Sequence, residues 1–383
     1  MAHAPRLASN HRSHGGMALP ALMEELVEEI LLCIPPDEPA HLIRAALVCK
    51  DWCRIISDGG FRRRYRRFHR TPPLLGYIIE EYITAPKFVP TTTFSPPPLP
   101  ATRSFRAVDC RHGRVLMTDI HGDPPGFIVW DLITGNGPRL SINIPAYFPH
   151  EYLCTSTGAV LCARHGCDHL DCHDGPFLVV FVGSYDDDDA ANNDMYTSAS
   201  VYSSETGAWS AQTPSVDYEL LGLGEPCLLI GDALYVTLFS SRIEILKYDL
   251  GGHGLSVIDT PVMRGVAVPM DIDGGLGLVE YDHGCIYTWS RQADGGWVRH
   301  NVAELQTIYF PRCNRYNKFG MIRFAQETNT VLFSLDDYID QGVFALDLKS
   351  RQVTKVGETR AYNILPCMSF YTPDLAKGKL SPQ

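Results

Sequence analysis

What this sequence lacks narrows it first. No stretch of its 383 residues stays apolar for the roughly 20 positions that a bilayer-crossing helix requires. The opening residues, MAHAPRLASNHRSHGGMA, contain no apolar h-region, so they do not read as a secretory signal. They read as a disordered leader over 1–18. No Asn-x-Ser/Thr sequon occurs. The phosphate-cradling GxxxxGKS/T loop is missing, and so is the GxSxG elbow of serine hydrolases. Catalytic triads are spatial, so an enzyme is not excluded, but nothing in the sequence points to one. Positive charge is scarce, with 33 Lys+Arg against 44 Asp+Glu and a net charge of −11. Residues 1–70 hold 11 basic and 8 acidic side chains, which leaves 22 against 36, or −14, for the remainder. An acidic body of that kind argues against a nucleic-acid-binding main domain.

What is present is an ordinary globular balance, 45% hydrophobic and 20% charged, on a chain long enough for two domains. There are twelve cysteines. Cys33, Cys49 and Cys53 lie in a helical stretch, and Cys227, Cys285 and Cys367 in strand-like runs. Such positions suit buried free thiols in a reducing compartment. The expectation is an intracellular protein of the cytoplasm, the nucleus or both, without membrane contact.

The chain is organised around Leu19 to Arg70. Leu22, Met23, Leu26, Val27, Ile30 and Leu31 recur at the spacing of one helix face, and Glu24, Glu25, Glu28 and Glu29 fill the opposite face. Pro20 suits a first turn, and Pro35-Pro36 stop the helix. Asp37 is placed to cap a second helix carrying Leu42, Ile43, Ala46, Leu47 and Val48 inward. A third run carries Trp52, Ile55 and Ile56, and Gly59-Gly60 is expected to end it. Three small helices with this much Leu, Ile, Val and Trp have more apolar surface than they can hide alone. Either a partner covers the surplus or the helices cap the rest of the same chain. The run FRRRYRRFHR (61–70) reads as a solvated helix end whose cations suit the helix dipole, in preference to a phosphate-binding or nuclear-import patch.

This stretch resembles an F-box, the helical module that docks a substrate receptor onto the Skp-type adaptor of a cullin ubiquitin ligase. The matching positions are Leu19-Pro20, Glu25-Leu26, Glu29-Ile30-Leu31, Ile34-Pro35, Leu42, Arg44, Val48-Cys49-Lys50, Trp52, Ile55-Ile56 and Phe61. The resemblance implies adaptor-binding roles for Leu19, Pro20, Leu26, Ile30, Leu31, Leu42, Val48 and Trp52, shared in part with the module's own core. More diffusely, the whole chain resembles a large family of plant F-box proteins, abundant in grasses, with a long β-rich C-terminal region.

Thr71-Pro72-Pro73 marks a domain boundary, and beyond it the helical period disappears. Leu74 to Tyr82 reads as a strand. Lys87 to Ala101 is too proline-dense for a central strand and reads as a loop. A weak repeat then appears. FIVWDLITG (127–135), SVYSSETGAW (200–209), ILKYDLGGHG (245–254), IYTWSRQADGGW (286–297) and VFALDLKSRQ (343–352) each end an apolar strand in a polar turn. Each comes after another strand: RVLMTDI, GPFLVVFVG, DALYVTLF, GLGLVEY and NTVLFSL. Four-stranded antiparallel units repeated about an axis make a β-propeller. Five units fit between Ala107 and Gly357. The two ends, Leu74 to Phe94 and Tyr362 to Pro373, are expected to share a sixth blade and so close the ring. Trp130-Asp131 imitates the WD dipeptide once, and Gly274-Gly275 with Tyr281 and Trp289 imitates kelch once. Two β-sandwiches are the competing architecture. The expected fold is therefore a small all-α module at 19–70 and an all-β propeller at 74–373, with a flexible tail at 374–383.

Two stretches invite chemistry. LCARHGCDHLDCHDG (161–175) crowds Cys162, His165, Cys167, His169, Cys172 and His173 together, and zinc uses such ligands. Its spacing lacks the paired pattern of structural zinc sites, so a polar loop without metal is expected. Asp186 to Asp189, with Asp194 beyond, reads as a solvated loop, since calcium loops alternate their ligands with glycine turns. Gly222-Leu223-Gly224 and Gly274-Gly275-Leu276-Gly277 are hairpin glycines.

Together these observations predict a non-catalytic receptor subunit of a Skp–cullin–F-box ligase, without cofactor. Its partners would be the adaptor, through it a cullin, and a protein target of unknown identity. An F-box protein acting outside a ligase, and a propeller enzyme with a helical cap, are the alternatives.

Overall fold

The computed structural model describes residues 23–80, 84–99, 105–119, 125–135, 140–145, 148, 153–170, 172–186, 195–216, 219–220, 226–239, 243–263, 265–305, 318–336, 341–358 and 361–371. Two parts succeed each other along the chain, a helical module and a six-bladed β-propeller.

Four helices build the module: α1 (Glu24–Leu32), α2 (Ala40–Ala46), α3 (Lys50–Ser57) and α4 (Gly59–His69). The fourth differs from the three-helix expectation. Gly59-Gly60 do not end α3. Asp58 does so, and its carboxylate then accepts the Phe61 N–H at 2.9 Å, capping α4. An oxygen acceptor at this position satisfies one of the orphan donors of a helix start. The arginine-rich run is thus an amphipathic helix and not only a solvated end. Phe61, Tyr65 and Arg66 face inward, while Arg64 reaches Glu28 at 2.5 Å and Glu29 at 2.7 Å. The Tyr65 hydroxyl donates to the Ile34 carbonyl at 2.7 Å, which ties α4 to the end of α1. Burial, with Asp37 beside it, raises the Tyr65 phenol above its ordinary range. No helix among the described residues is long and apolar enough to cross a membrane.

Residues 70–73 lead directly into β1 (Leu74–Glu80). Lys87–Pro90, expected as loop, forms β2 and pairs with β1. It tolerates proline because it is an edge strand. Five further blades come in chain order. The first is β3 (Phe105–Arg111), β4 (Arg114–Asp119), β5 (Gly126–Asp131) and β6 (Leu140–Asn143). The second is β7 (Leu153–Cys162), β8 (Phe177–Asp186), β9 (Met195–Ser203) and β10 (Ala208–Trp209). In the third, β11 (Glu219–Leu220) and β12 (Leu228–Ile230) both pair with β13 (Ala233–Phe239), before β14 (Ile243–Asp249) and β15 (Gly254–Asp259). The fourth is β16 (Val266–Ile272), β17 (Gly275–Asp282), β18 (Cys285–Arg291) and β19 (Trp297–Glu304). The fifth is β20 (Lys318–Ala325), β21 (Thr330–Asp336), β22 (Gly342–Asp347) and β23 (Val353–Gly357). Finally β24 (Asn363–Met368) returns to pair antiparallel with β1, giving a sheet ordered β2-β1-β24.

The ends of the propeller therefore share the sixth blade, as expected, although it has three strands. The repeated sequence segments are the second and third strands of blades one to five. Their apolar residues fill six buried clusters, one between each pair of neighbouring blades. A ring of inter-blade cores is incompatible with two β-sandwiches, whose cores lie between paired sheets. Tight hairpins turn the chain in the first and fourth blades. His112-Gly113, Asp273-Gly274 and His283-Gly284 all take positive φ at both positions, the type I′ geometry that matches the strand twist.

Candidate functional site

The module's core collects Val27, Leu31, Leu32, Leu42, Ala45, Ala46, Ile55, Ile56, Phe61 and Tyr65. That core splits the apolar stripe of α1. Leu31 is 0% exposed, whereas its neighbour Ile30 is 51% exposed and Leu26 is 47% exposed. Neighbouring residues on a helix point about 100° apart, so a wide stripe can serve two surfaces. Leu42 turns inward beside Leu31. Trp52 is half-buried against the same core. Val48 is open to solvent together with Leu47, which corrects the expectation that α2 carries both inward. They lie past the end of the helix, where the chain leaves the core. Leu19 and Pro20 lie outside the described residues.

Sorted this way, Leu31 and Leu42 build the module, and Leu26, Ile30 and Val48 face out, with Met23 and Leu47 beside them in sequence. Of the ten large hydrophobic side chains exposed among the described residues, six lie between Met23 and Phe68. This short segment therefore carries the main surplus of apolar surface. Cys33 and Cys49 are exposed as well, and Cys53 and Cys285 half-exposed, whereas Cys227 and Cys367 are buried as the sequence suggested.

The module sits against one end of the propeller. Phe370, just beyond β24, completes the helical core, and Leu170 packs on it from the β7–β8 loop. Arg67 approaches Asp168 of that loop at 3.7 Å. On the other side the Ala40 N–H donates to the Thr93 hydroxyl at 3.2 Å. A crevice between the two parts is lined by Arg66, His112, His169, Cys172, Glu327 and Phe370, among others. Burial, His169 and nearby arginines drive His112 down to about 3.

The β7–β8 loop holds the sequence's Cys/His cluster. His165 and His173 take no part in it. His173 Nδ1 instead meets Asp131 Oδ2 at 2.9 Å. Asp131, of the WD-like pair, also accepts the Ile133 and Thr134 N–H groups. The remaining four, Cys162, Cys167, His169 and Cys172, bring one donor atom each to within 4.8 Å of one another. Spacing along the chain did not show this, because β7 delivers Cys162 from the sheet while the other three fold back from the loop. The acidic residues 187–189 and 194, and Gly222 to Gly224, lie outside the described residues.

A second cleft runs along the propeller axis, lined by Asp109, Arg111, Thr237, Val268, Arg323 and Glu327 with the cysteines Cys110 and Cys227. Asp109 meets Arg111 at 3.0 Å and accepts the Val160 N–H at 2.8 Å. Burial raises the Asp109 and Glu327 carboxyls, with Arg111 opposing the rise at both. Burial also pushes the Cys227 thiol up to about 12. The neighbouring Cys367 thiol, together with burial, holds Cys110 well above its ordinary value. An activated thiol nucleophile needs the opposite shift.

Solved structures resembling the chain include TolB from Acinetobacter baumannii, with a TM-score of 0.48 and 11% identity over 81% of this chain and 71% of that one. The WD40 domain of SCAP from fission yeast gives 0.36 and 10% over 67% and 53%. Periplasmic gluconolactonase of Pseudomonas aeruginosa gives 0.40 and 12% over 76% and 81%. No curated protein matches the sequence. Residues 20–64 match the family model described as F-box domain, and the helical module that opens the chain is an F-box domain on that match.

Proposed function

We propose that this chain is the substrate receptor of a Skp–cullin–F-box ubiquitin ligase and has no catalytic role of its own. The carrying observation is the outward half of the α1 stripe, Leu26 and Ile30, on an F-box domain whose inward half is already filled. Exposed apolar surface rimmed by charge marks a protein contact, and Glu24, Glu25, Glu28 and Glu29 supply the rim. Leu26, Ile30 and Val48, with Leu19, Pro20 and Trp52, would bind the Skp-type adaptor. Leu31 and Leu42 would support that face from beneath. A cullin would join through the adaptor, and ligation chemistry would belong to other subunits. This chain would contribute proximity, within the cytoplasm or nucleus. The functional units would be 19–70 and 74–373, flanked by a leader at 1–18 and a tail at 374–383.

The fold also suggests where a target binds. The module occupies the end of the ring that carries the His112-Gly113 turn, the β7–β8 loop and the end of β24. Antiparallel strands put the β4–β5, β8–β9, β13–β14, β17–β18 and β21–β22 connections at the other end. A target protein would be read there, away from the adaptor.

Pull-down of the adaptor by the full chain tests the reading. Leu26→Ala with Ile30→Ala, and separately Leu19→Ala with Pro20→Ala, should lower recovery at least tenfold and leave the melting temperature unchanged. Leu31→Ala should instead lower stability by about 2–5 kcal/mol. Wild-type adaptor recovery by both double variants would sink the docking assignment. Adaptor binding without cullin co-purification would favour an F-box protein acting outside a ligase.

A further inference from the structure

We propose that Cys162, Cys167, His169 and Cys172 bind one zinc ion, and that this ion fixes the loop on which the F-box domain rests. The proposal is independent of the ligase reading. Four donors converge here, three sulfurs and one imidazole nitrogen, all within 4.8 Å of one another. A tetrahedral zinc with bonds of about 2.3 Å to sulfur and 2.0 Å to nitrogen sets its donors roughly 3.5–3.8 Å apart. Cys172 Sγ and His169 Nδ1 already stand at 3.9 Å. The remaining contraction is small.

The donor set selects the metal. Calcium and magnesium take oxygen ligands, whereas three thiolates with one imidazole in a tetrahedron suit zinc. Four protein ligands leave no open position, so the site is structural and not hydrolytic.

The surroundings fit a metal-bound loop. The Arg164 N–H points at Cys162 Sγ at 3.4 Å, a donor suited to a thiolate. The His112 ring stacks on His169 at 4.6 Å and 19°, a contact that restrains the plane of the ligand ring. Arg114, almost fully buried, donates to the Cys172 and Gly175 carbonyls. Three thiolates, a neutral imidazole and Zn²⁺ sum to one negative charge, and Arg114 places a positive charge beside it. His169 takes a positive φ of 57°, an uncommon conformation for a side-chain-bearing residue. Metal ligation would hold it there.

The ion would act on the assembly through residues between its ligands. Asp168 and Leu170 lie within the Cys167–Cys172 segment, and they contact α4 and the module core. Closing that segment on zinc would present both side chains in one geometry. Metal binding releases the thiol protons, up to three per chain.

The test uses the full chain, purified without chelator. Elemental analysis should find about one zinc per chain, falling at least tenfold in Cys167→Ser and Cys172→Ser. His169→Cys keeps four ligands and should retain zinc, and Cys33→Ser, outside the site, should retain it too. Reconstitution with Co²⁺ should give the intense visible bands of a tetrahedral thiolate complex. Zinc in the wild type no higher than in Cys167→Ser would overturn the site. So would retention of zinc by Cys167→Ser and Cys172→Ser alike, or a count of free thiols in denaturant without reductant that is two short of twelve, the mark of a disulfide. Hydrogen exchange tests the second half. Chelation should speed exchange over residues 163–176 and in α4, and leave β16 to β23 unchanged. Acceleration confined to the loop would refute its role in seating the F-box domain.

Discussion

Deleting residues 362–383 should unfold the propeller, whereas deleting 375–383 should not. The longer deletion removes β24. That strand meets β1 through six pairs, from Leu74–Met368 to Glu80–Asn363, and every one of its residues is buried. Ile364 lies in the core between the fifth and sixth blades, and Leu365 in the core between the sixth and the first. Met368 is buried too, and Phe370 belongs to the helical module. Each large apolar side chain contributes roughly 1.5–3 kcal/mol by burial. Losing four removes roughly 6–12 kcal/mol, on the scale of the 5–15 kcal/mol that holds a whole domain. Polar latches go as well. Asn363 accepts from Arg323 of β20 at 3.1 Å and donates to the Ala107 carbonyl of β3 at 3.4 Å, so one side chain joins three blades. The edge left on β1 would expose unpaired backbone and invite association between chains.

Soluble yield, light scattering and thermal melting measure this directly. A chain ending at Ala361 should be insoluble or should lack a cooperative transition, while one ending at Asp374 should melt with the intact protein. In the full chain, Ile364→Ala should cost about 2–5 kcal/mol, and Tyr362→Ala, at a half-exposed position, should stay within about 0.5 kcal/mol. Indistinguishable melting of the two truncations would refute closure by the C-terminal strand.

Two further outcomes concern buried groups. Burial raises the Glu327 carboxyl above its ordinary range, with Arg111 opposing the rise, and its Oε2 has no hydrogen-bond partner among the described residues. The folded state binds this proton more tightly than the unfolded chain, so stability falls as pH rises through the window between the two pKa values. Glu327→Gln escapes that loss. It should melt higher than wild type at neutral pH, with an advantage that shrinks as pH drops below the unfolded value near 4.3, and melting curves at several pH values decide it. Phe370→Ala should cost about 3–5 kcal/mol and weaken adaptor capture without altering α1, measured by melting together with pull-down. Unchanged capture would show that the F-box domain is indifferent to its seat on the propeller.

Sequence pattern was a good guide where short apolar runs are bounded by polar turns. The second and third strands of each blade are such runs, because neighbouring residues such as Val115 and Leu116 fill the cores on opposite sides of the blade, so five units and a shared sixth were legible. The pattern failed where a helix divides its apolar stripe between a core and solvent. Leu22 to Leu31 reads as a single stripe, and only packing separates Leu31 from Ile30. Gly59-Gly60 reads as a stop, because glycine ends helices more often than it begins them. Here the cap at Asp58 and the inward Phe61 and Tyr65 decide the matter. Spacing also misled at Cys162 to Cys172. A strand end and a folded-back loop make neighbours of residues that no sequence template pairs.

The seam between module and propeller bears on the proposed receptor role. A tethered F-box on a flexible linker would leave the target's position relative to the adaptor undefined, and proximity gains require defined placement. Here the link from His69 to Leu74 is short and contains Pro72-Pro73. Its start is held by the His69 ring, whose Nε2 lies 2.9 Å from the Leu32 carbonyl, and its end by the Ser369 N–H donating to the Pro73 carbonyl at 3.3 Å. Phe370 then enters the helical core directly after the strand that closes the ring. One segment thus couples two folding events: the propeller closes on β24, and the F-box domain packs on Phe370 just beyond it. Stability of the F-box domain and integrity of the ring are joined, so a chain with an open propeller would also present a loosened F-box.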